Sequence, residues 1–433
     1  MTSIIVQRSQ ISGKVHCPSS KSYTHRAVAA ASLADGHSKI GNPLLARDTL
    51  ATVYACKALG VDIEYEDGEL LIQGRDRLKV PENVINAENS GTTIRMIAAI
   101  SSLTSGGFTI LTGDASLRRR PMNPLILGLQ QLGVKCCSSK DDGTPPLITR
   151  GGGMRGGTAK ITGNVSSQFV SSLLLTSVRA DSPTRIEIIG RQVSKPYIDA
   201  TITTMDRFGA KVSGSADTIL SVDPGSYKGT TFRIPSDFSS AAMVMAAGVL
   251  TGNEVIIEGL DFRLPQGDSK IIDIIRKMGG RIVIDTDKGE AKIYGCEVLN
   301  GGHFELTDSP DLLPVVSILA LKACSSVYIE GIEHARLKET DRVANISQEL
   351  VKLGVSVKEE SDKLRINAPE TLRNANLDAH DDHRLFMAFT IASMLTSKSE
   401  VNGAESVDVS YPQFVSEMRR LGADILPQSE LES

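Results

Sequence analysis

Six strongly apolar stretches recur along the chain, and a short cluster of polar residues stands immediately before each of them. Most of these stretches leave few charged positions on any side of a helix. A helix that is apolar all round is buried on all sides, so this pattern predicts six buried helices. They occupy residues 27–34, 96–103, 170–178, 241–250, 315–323 and 385–395.

A second pattern lies downstream of each apolar stretch: a bulky apolar residue, then glycine, then a small or branched residue that opens a strand. The glycine fits the position just past the end of an amphipathic helix, where the left-handed backbone conformation is favoured. The six glycines are 68 to 76 residues apart, which predicts a sixfold repeat over the whole chain. They are Gly60, Gly133, Gly209, Gly279, Gly354 and Gly422.

Each repeat is predicted to contain a strand, a buried helix, a strand, an amphipathic helix and further strands, which makes the chain an α/β protein. Residues 158–162, 231–234 and 303–306 are examples of the strand that precedes a buried helix. The pattern leaves open a closed ring, a solenoid and two domains of three repeats. We favour two domains, because a single core rarely grows beyond about 250–300 residues. Pro18 and Pro235 mark the candidate crossings.

Composition disfavours several classes of protein. The 433 residues include 47 basic and 51 acidic side chains, a net charge of −4, which disfavours a general polyanion binder. Trp is absent and aromatic residues make up 4%, which argues against a stacking platform for single-stranded nucleic acid. The six cysteines form no CxxC motif and are too few for a disulfide framework. Without a signal peptide or an apolar run of about 20 residues, we expect a soluble, cytoplasmic protein.

The polar clusters before the buried helices contain good N-caps, and capping accounts for their Ser, Thr, Asp and Asn residues. Capping does not account for their Lys and Arg residues, because cations at a helix N-terminus oppose the helix dipole. Those cations fit if free N–H groups and basic side chains hold an anion there. Each alone is typical of a solvated surface, but their recurrence predicts convergence on one anionic site. The cationic candidates are Lys21, Arg26, Arg95, Arg118, Arg119, Arg120, Lys195, Lys338, Arg342 and Arg384.

Two further motifs carry no predicted chemistry. The glycine-rich run at residues 150–157 has neither the GK[ST] of a P-loop nor the GxGxxG order of a dinucleotide fold, so we interpret it as a turn. His380 and His383 are spaced like a metal-binding pair, but no third ligand stands out beside them. The sequence therefore predicts no metal site.

Eight motifs, in order from about residue 5 to 420, resemble the 5-enolpyruvylshikimate-3-phosphate synthase family of enolpyruvyl transferases. They read PSSKSYTHRAVAAASLADG, NSGTTIRMIAA, LTGDASLRRRP, SSQFVSSLLL, VSKPYID, DSPDLLP, LKETDRV and DDHRLFMAF. The resemblance implies the two-domain enolpyruvyl transferase fold, with six βαβαββ repeats, three in each domain. It implies a discontinuous domain of residues 1–17 plus 235–433, a central domain of residues 18–234, and an active site in the cleft between them.

The same resemblance implies a reaction between shikimate 3-phosphate and phosphoenolpyruvate. The 5-hydroxyl adds to C2 of the enol while C3 takes a proton, and phosphate then leaves the tetrahedral intermediate. No metal or organic cofactor is implied, no nucleic acid or membrane partner, and the family favours a monomer. Both substrates are anions, which agrees with the cations at the predicted helix starts.

Roles for individual residues follow from the matching motifs. The implied catalytic residues are Lys21, which contacts both substrates, Asp311, which takes the 5-hydroxyl proton, and Glu339, which handles the C3 proton. The implied shikimate 3-phosphate contacts are Lys21, Ser22, Arg26, Ser166, Ser167, Gln168, Ser194, Tyr197, Asp311 and Lys338. The implied phosphoenolpyruvate contacts are Lys21, Gly91, Thr92, Arg120, Gln168, Arg342 and Arg384.

Two positions depart from the common pattern of the family. Val409 stands where many relatives have a lysine that touches phosphoenolpyruvate, and His334 stands where an asparagine often contacts the shikimate phosphate.

The sister enzymes that act on UDP-N-acetylglucosamine usually carry a cysteine before the Arg-Pro pair, whereas GDASLRRRP has none. A non-catalytic repeat protein would explain the helices but not Lys21, Asp311 and Glu339. An RNA 3′-phosphate cyclase would need nucleotide-binding signatures that the sequence lacks.

Overall fold

The computed structural model describes residues 2–427. Within them the chain divides into two compact units: one is continuous, Ser19–Pro235, and the other combines the residues up to Pro18 with those from Ser236 onward. Both breaks fall one residue later than the sequence analysis placed them. The outermost residues of the predicted discontinuous domain, 1 and 428–433, lie outside the described range.

Helices and strands alternate along the whole described chain. The helices are α1 (Lys21–Ser32), α2 (Arg47–Ala58), α3 (Gly91–Ile100), α4 (Asn123–Gln131), α5 (Ser167–Ser177), α6 (Lys195–Arg207), α7 (Phe238–Thr251), α8 (Ile271–Lys277), α9 (Leu313–Leu319), α10 (Arg342–Lys352), α11 (His383–Ser393) and α12 (Phe414–Leu421). The strands are β1 (Ser3–Gln7), β2 (Ile11–His16), β3 (Ala34–Asp35), β4 (His37–Gly41), β5 (Asp62–Glu66), β6 (Glu69–Gln73), β7 (Ile85–Asn86), β8 (Phe108–Thr112), β9 (Cys136–Ser138), β10 (Leu147–Arg150), β11 (Gly157–Thr162), β12 (Thr184–Ile189), β13 (Val212–Gly214), β14 (Ile219–Val222), β15 (Tyr227–Lys228), β16 (Thr231–Arg233), β17 (Gly252–Glu258), β18 (Ile282–Asp285), β19 (Glu290–Tyr294), β20 (Gly302–Glu305), β21 (Val327–Glu330), β22 (Ser356–Glu359), β23 (Lys363–Asn367), β24 (Asn376–Asp378), β25 (Lys398–Asn402) and β26 (Ile425–Pro427).

Six four-stranded sheets of one topology account for most of the strands in the described chain. In the sheet β11–β12–β14–β13, the first pair is parallel and the other two pairs are antiparallel. The parallel pair is joined by the buried helix α5, as a parallel connection requires a crossover. The predicted α/β fold with six βαβαββ repeats is confirmed, and three of the sheets belong to each unit.

The first strand of the α7 repeat differs from the expectation. Residues 231–234 were predicted to precede that buried helix in the same repeat, but β16 pairs in parallel with β4, as in Phe232 opposite Ile40. It thereby completes the α1 repeat of the unit Ser19–Pro235. The corresponding strand for α7 is β2, which pairs with β17. Adjacency in sequence does not decide this pairing, because the chain passes from one unit to the other directly after β16.

The predicted buried helices are confirmed, and the predicted side-chain caps are confirmed for all of them except α9. Every residue of α3, α7 and α11 is buried. Five of the buried helices begin with a side chain that accepts a hydrogen bond from the first turn, which satisfies N–H groups that have no partner within the helix. These capping residues are Ser20, Ser90, Ser166, Asp237 and Asp382.

The six repeated glycines end the six amphipathic helices as predicted. Each has a positive φ, between 83° and 113°, which a side chain would make unfavourable. The helices therefore stop at the same point of each repeat, and the strand that follows begins in a defined direction. None of the helices in the described part of the chain is long and apolar enough to cross a membrane.

Candidate active site

The candidate residues fall into two groups, one in each unit. The unit Ser19–Pro235 holds Lys21, Arg26, Gly91, Arg120 and Gln168 among its candidates. The discontinuous unit holds Asp311, Lys338, Glu339, Arg342 and Arg384. We call the first group the cationic cluster and the second group the carboxylate–arginine cluster.

The N-terminus of α3 is the centre of the cationic cluster. Ser90 caps the helix, and Gly91 is its first residue. A Cβ atom added to Gly91 would lie 2.8 Å from Nη1 of Arg120 and 3.1 Å from Nη1 of Arg95, so both guanidinium groups lie against this glycine. Nη2 of Arg120 also donates a hydrogen bond of 3.1 Å to Oδ1 of Asn89. A helix N-terminus flanked by two guanidinium groups is suited to bind an anion.

Gln168 links this site to the start of α5. Its Oε1 accepts a hydrogen bond of 2.5 Å from Nη1 of Arg95, and its Nε2 donates one of 2.9 Å to Oγ1 of Thr92. Ser166 caps α5 by accepting from the backbone N–H of Gln168, and Ser167 is buried in the first turn. Thr92, Ser166 and Gln168 therefore share one hydrogen-bond network that joins the NSGTT and SSQ motifs.

Arg26 is a fully buried cation whose acceptors are all uncharged. It donates to Oγ1 of Thr201 at 2.7 Å and to the backbone oxygens of Ser22 and Tyr197 at 2.8 and 2.9 Å. Burial lowers the pKa of Arg26 to about 10, which leaves it protonated at neutral pH. A buried positive charge without a carboxylate partner favours an anionic ligand nearby.

The backbone of Ser194, which precedes α6, is left-handed with φ 57°.

Lys21, at the first position of α1, forms an ion pair with a residue that the sequence analysis did not identify. Its Nζ lies 2.8 Å from Oδ2 of Asp48, and Oδ1 of Asp48 lies 3.3 Å from Nε2 of His25. Burial alone would raise the pKa of Asp48, but Lys21 and His25 hold it well below its ordinary value. Burial also lowers the pKa of His25. Asp48 is thus a carboxylate that fixes the ammonium group of Lys21.

A buried hydrogen-bond chain runs from His25 to the cap of α3. Nδ1 of His25 is 2.7 Å from Oγ1 of Thr52, which is 2.6 Å from Oγ1 of Thr93. Thr93 is in turn 2.6 Å from Oγ of the capping residue Ser90. The positions of Lys21 and of the α3 anion site are therefore coupled through side chains of α1, α2 and α3.

Arg342, the first residue of α10, organises the carboxylate–arginine cluster. Its guanidinium binds Asp311 through Nη1, Glu339 through Nη2 and Asp382 through Nε, each at 2.7 Å. Burial alone would lower the pKa of Arg342, but the three carboxylates raise it. The structure thus brings both predicted proton-transfer carboxylates to one side chain.

Asp311 contacts two further cations. Its Oδ2 lies 3.0 Å from Nη2 of Arg384, and its Oδ1 lies 3.7 Å from Nζ of Lys338. Burial lowers the pKa of Lys338, and Asp311 opposes that shift. A lysine whose pKa is lowered is better able to exchange a proton near neutral pH.

Two more titratable side chains of this unit are buried beside the cluster. Asp268 forms a hydrogen bond with Ser239, and burial followed by the charge of Asp311 raises its pKa to about 7. Burial, followed by the charge of Lys338, lowers the pKa of His334 to about 4, so the imidazole is neutral at pH 7. Val409 is buried at the end of a 3₁₀ turn, Ala404–Val409.

Some of the ten cationic candidates lie apart from these contacts. Arg118 is exposed and donates to the backbone oxygen of Gly113. Arg119 is also exposed, and Lys195 forms an ion pair with Asp217. The 3₁₀ turn Leu117–Arg119 directs two consecutive arginines to the surface, whereas Arg120, directly after it, is buried.

The positions of Asp48 and Asp382 in the sequence are explained by local helix rules, so neither stood out as a candidate. An acidic residue in the first turn of a helix is expected from the helix dipole, and a cap is expected directly before it. Asp48 and Asp382 satisfy those local rules and so gave no separate signal. Only the folded chain shows that each one also neutralises a cation from another helix, the half-buried Lys21 for Asp48 and the buried Arg342 for Asp382.

Metal chemistry has no candidate ligand set in the described residues. No group of three or more His, Cys, Asp or Glu side chains between residues 2 and 427 is arranged to hold a metal ion. His380 instead contacts Oε1 of Glu349 at 3.1 Å.

Known proteins similar to this chain agree with the motifs. The family profile described as EPSP synthase (3-phosphoshikimate 1-carboxyvinyltransferase) matches residues 5–418. A 3-phosphoshikimate 1-carboxyvinyltransferase from Nitrosopumilus maritimus is 47% identical over 431 residues, covering 98% of this chain and 99% of that protein. One from Korarchaeum cryptofilum is 41% identical over 423 residues, covering 98% of this chain and 99% of that protein.

Solved structures of enolpyruvyl transferases have a similar fold. The EPSP synthase from Acinetobacter baumannii superposes with a TM-score of 0.81 at 26% identity, over 98% of this chain and 100% of that one. The enolpyruvyl transferase NikO from Streptomyces tendae has a TM-score of 0.80 at 18% identity, over 98% of each chain, which shows a shared fold. On the full-length profile match and these relatives, the chain belongs to the EPSP synthase (3-phosphoshikimate 1-carboxyvinyltransferase) family.

Proposed function

We propose that this protein transfers the enolpyruvyl group of phosphoenolpyruvate to the 5-hydroxyl of shikimate 3-phosphate and releases phosphate. The observation that carries the proposal is the shared contact of Asp311 and Glu339 with the buried guanidinium of Arg342. A binding-only repeat protein has no need for two carboxylates held among Lys338, Arg342 and Arg384. Addition followed by elimination does need two groups that move protons.

The addition and the elimination each require two proton transfers. In the addition, the 5-hydroxyl oxygen bonds to C2 of phosphoenolpyruvate, loses its proton to a base, and C3 gains a proton to become a methyl group. In the elimination, C3 gives up a proton, the C2–O bond to phosphate breaks, the departing phosphate oxygen takes up a proton, and the double bond re-forms. We assign the hydroxyl proton to Asp311 and the C3 proton to Glu339. Lys21 moves protons at the reacting oxygens and neutralises their charge.

The cationic cluster supplies the anion contacts in this proposal. Phosphoenolpyruvate binds at the start of α3, where Gly91 and Thr92 leave the backbone accessible to phosphate and Arg120 adds a planar fork of donors. Gln168 contacts both substrates, and Lys21 lies between them. The remaining shikimate 3-phosphate contacts of this unit are Ser22, Arg26, Ser166, Ser167, Ser194 and Tyr197.

The carboxylate–arginine cluster supplies the acid–base groups and the carboxylate contacts. Arg342 and Arg384 bind the carboxylate of phosphoenolpyruvate, and Lys338 contacts shikimate 3-phosphate near its 5-hydroxyl. Both arginines also contact Asp311. Phosphoenolpyruvate must therefore compete with Asp311, which couples its binding to the release of the proposed base.

The two clusters belong to different units, and we propose that they serve one reaction on the same pair of substrates. We further propose that the protein acts as a monomer in the cytoplasm. All six cysteines are free thiols, which supports a reducing compartment. Light scattering coupled to size exclusion at assay concentration checks the monomer, and a dimer mass contradicts it.

The test is phosphate release by the purified protein with both substrates, with each omitted in turn, and with EDTA present. We expect release that needs both substrates and survives EDTA. Replacing shikimate 3-phosphate with UDP-N-acetylglucosamine gives the matched specificity arm, and release there would favour the sister enzyme instead. No release with either acceptor would contradict an enolpyruvyl transferase.

A further inference from the structure

The loop before α11 contains an unusual backbone conformation. His380 and Asp381 both adopt left-handed φ angles, 51° and 58°, although neither is glycine. Consecutive left-handed residues with side chains are unfavourable, and they persist only where surrounding contacts hold them. Such strain often accompanies a functional site, so the contacts that hold this loop indicate what it positions.

Glu349 of α10 holds the loop in place. Its carboxylate is buried, with Oε2 accepting a 2.9 Å hydrogen bond from the backbone N–H of Asp378 and Oε1 lying 3.1 Å from Nε2 of His380. Oδ1 of Asp378 accepts a further bond of 2.7 Å from the backbone N–H of His380. The helix that fixes the loop is the one that begins with Arg342, so loop and arginine are built on the same element.

The loop delivers one buried carboxylate, that of Asp382. Its Oδ2 accepts from Nε of Arg342 at 2.7 Å, and its Oδ1 lies 3.3 Å from Nη2 of the same arginine. Oδ1 also accepts a hydrogen bond of 2.9 Å from the backbone N–H of Arg384, which caps α11. Asp382 thus binds the side chain of one arginine and the backbone of the other, and both arginines contact Asp311.

Capping alone does not require a carboxylate at this position. Ser20, Ser90 and Ser166 cap the buried helices of the other unit with a neutral hydroxyl. The charge of Asp382 instead balances the fully buried guanidinium of Arg342. Two bonds from one carboxylate to one guanidinium also fix the plane of that group.

We propose that Asp382 is a positioning residue that sets the guanidinium group of Arg342 and the backbone of Arg384 for the carboxylate of phosphoenolpyruvate. It acts through the two arginines and contacts no reacting atom. The strained turn at His380 and Asp381, held by Glu349, brings its carboxylate to Arg342. This inference rests on the proposed function, since it assigns both arginines to phosphoenolpyruvate.

The test is Asp382→Asn, which keeps the size of the side chain and one oxygen for the cap but removes the charge. We expect KM for phosphoenolpyruvate to rise at least tenfold, with KM for shikimate 3-phosphate within twofold of the wild-type value. The matched control is Asp237→Asn, the same change at the cap of α7, where the carboxylate accepts from Ser240. Equal KM values for Asp382→Asn and the control, or equal rises for both substrates, would overturn the proposal.

A second readout does not depend on turnover. In nitrogen-15-labelled protein, the Nε–H of Arg342 is expected to exchange with solvent at least tenfold faster in Asp382→Asn than in wild type or in the control. If wild type releases no phosphate, the proposed function fails, and this exchange rate still decides whether Asp382 holds Arg342. An unchanged exchange rate would overturn the positioning role.

Glu349→Gln covers the case in which Asp382→Asn does not fold. It loosens the support of the strained turn and leaves Asp382 intact. We expect a smaller rise of KM for phosphoenolpyruvate, about threefold or more, with KM for shikimate 3-phosphate unchanged. A wild-type KM for phosphoenolpyruvate in this folded variant would contradict the role assigned to the loop.

Discussion

Gly91→Ala tests the anion site at the start of α3 by adding one methyl group. The new Cβ would lie 2.8 Å from Nη1 of Arg120 and 3.1 Å from Nη1 of Arg95. Carbon normally approaches other heavy atoms to about 3.5 Å, so the tip of Arg120 must move by roughly 0.7 Å. Both arginines are buried, which limits where their guanidinium groups can move.

The size of the effect follows from the interaction that is displaced. A hydrogen bond to a charged group contributes about 1.5–3 kcal/mol, and each 1.4 kcal/mol is a factor of ten in affinity. Loss of one bond from Arg120 should therefore raise KM for phosphoenolpyruvate by about 10- to 100-fold. KM for shikimate 3-phosphate should stay near the wild-type value. Phosphate release at saturating shikimate 3-phosphate, with phosphoenolpyruvate varied, measures this.

Gly225→Ala is the matched control for this variant. It adds the same methyl group in the same unit, where no heavy atom lies within 4 Å of the new Cβ. Melting temperatures of both variants should stay close to wild type, because the clash at Gly91 involves only the ends of long side chains. A KM for phosphoenolpyruvate within twofold of wild type in Gly91→Ala would refute the site assigned to Arg120.

Two further predictions concern groups of the two clusters. Lys21→Met should lower turnover by about 100-fold or more, because a positioned acid or base usually contributes that much. The control is Lys57→Met on the exposed side of α2, which should leave turnover nearly unchanged. Equal turnover in the two variants would refute the role of Lys21. Asp268→Asn should gain stability relative to wild type as pH rises from about 4 to 7, by about 4 kcal/mol. The folded state raises the pKa of Asp268 to about 7, so over that range folded wild type keeps a proton that the unfolded chain has lost, and wild type is destabilised as pH rises. Urea unfolding at pH 4.5 and 8 measures this difference, and a constant gap between variant and wild type would contradict it.

Local rules were sufficient for most elements of this fold, and they drew attention to several of the residues proposed for the site. The apolar stretches located the buried helices because a helix without a polar face has few other stable environments. Gly354 located the end of α10 because few other residues adopt its φ of 87°. Arg342 was identified as a chemical candidate because cations at a helix start are conspicuous in a sequence, whereas Asp311 was identified only through the family resemblance.

Long-range pairings were beyond the same rules. The partner of β16 is β4, about 190 residues earlier, and nothing within either strand specifies the other. The ion pair of Lys21 with Asp48 and that of Arg342 with Asp382 depend on how helices pack, not on spacing along one helix. The burial of Arg26 against Thr201 and Tyr197 likewise follows from the packing of α1 with α6.

One unit combines two separate stretches of the chain, and this affects how the protein folds during synthesis. The unit Ser19–Pro235 is contiguous in the chain, so it is complete once the ribosome has released its last strand. Strand β1 leaves the ribosome first, yet Ser3 pairs with Asn402. For nearly the whole of synthesis this strand has no sheet to join, and unpaired strands are prone to associate with other chains. Refolding of the full chain should therefore be slower than refolding of the contiguous unit, because its last sheet forms only across a very long loop.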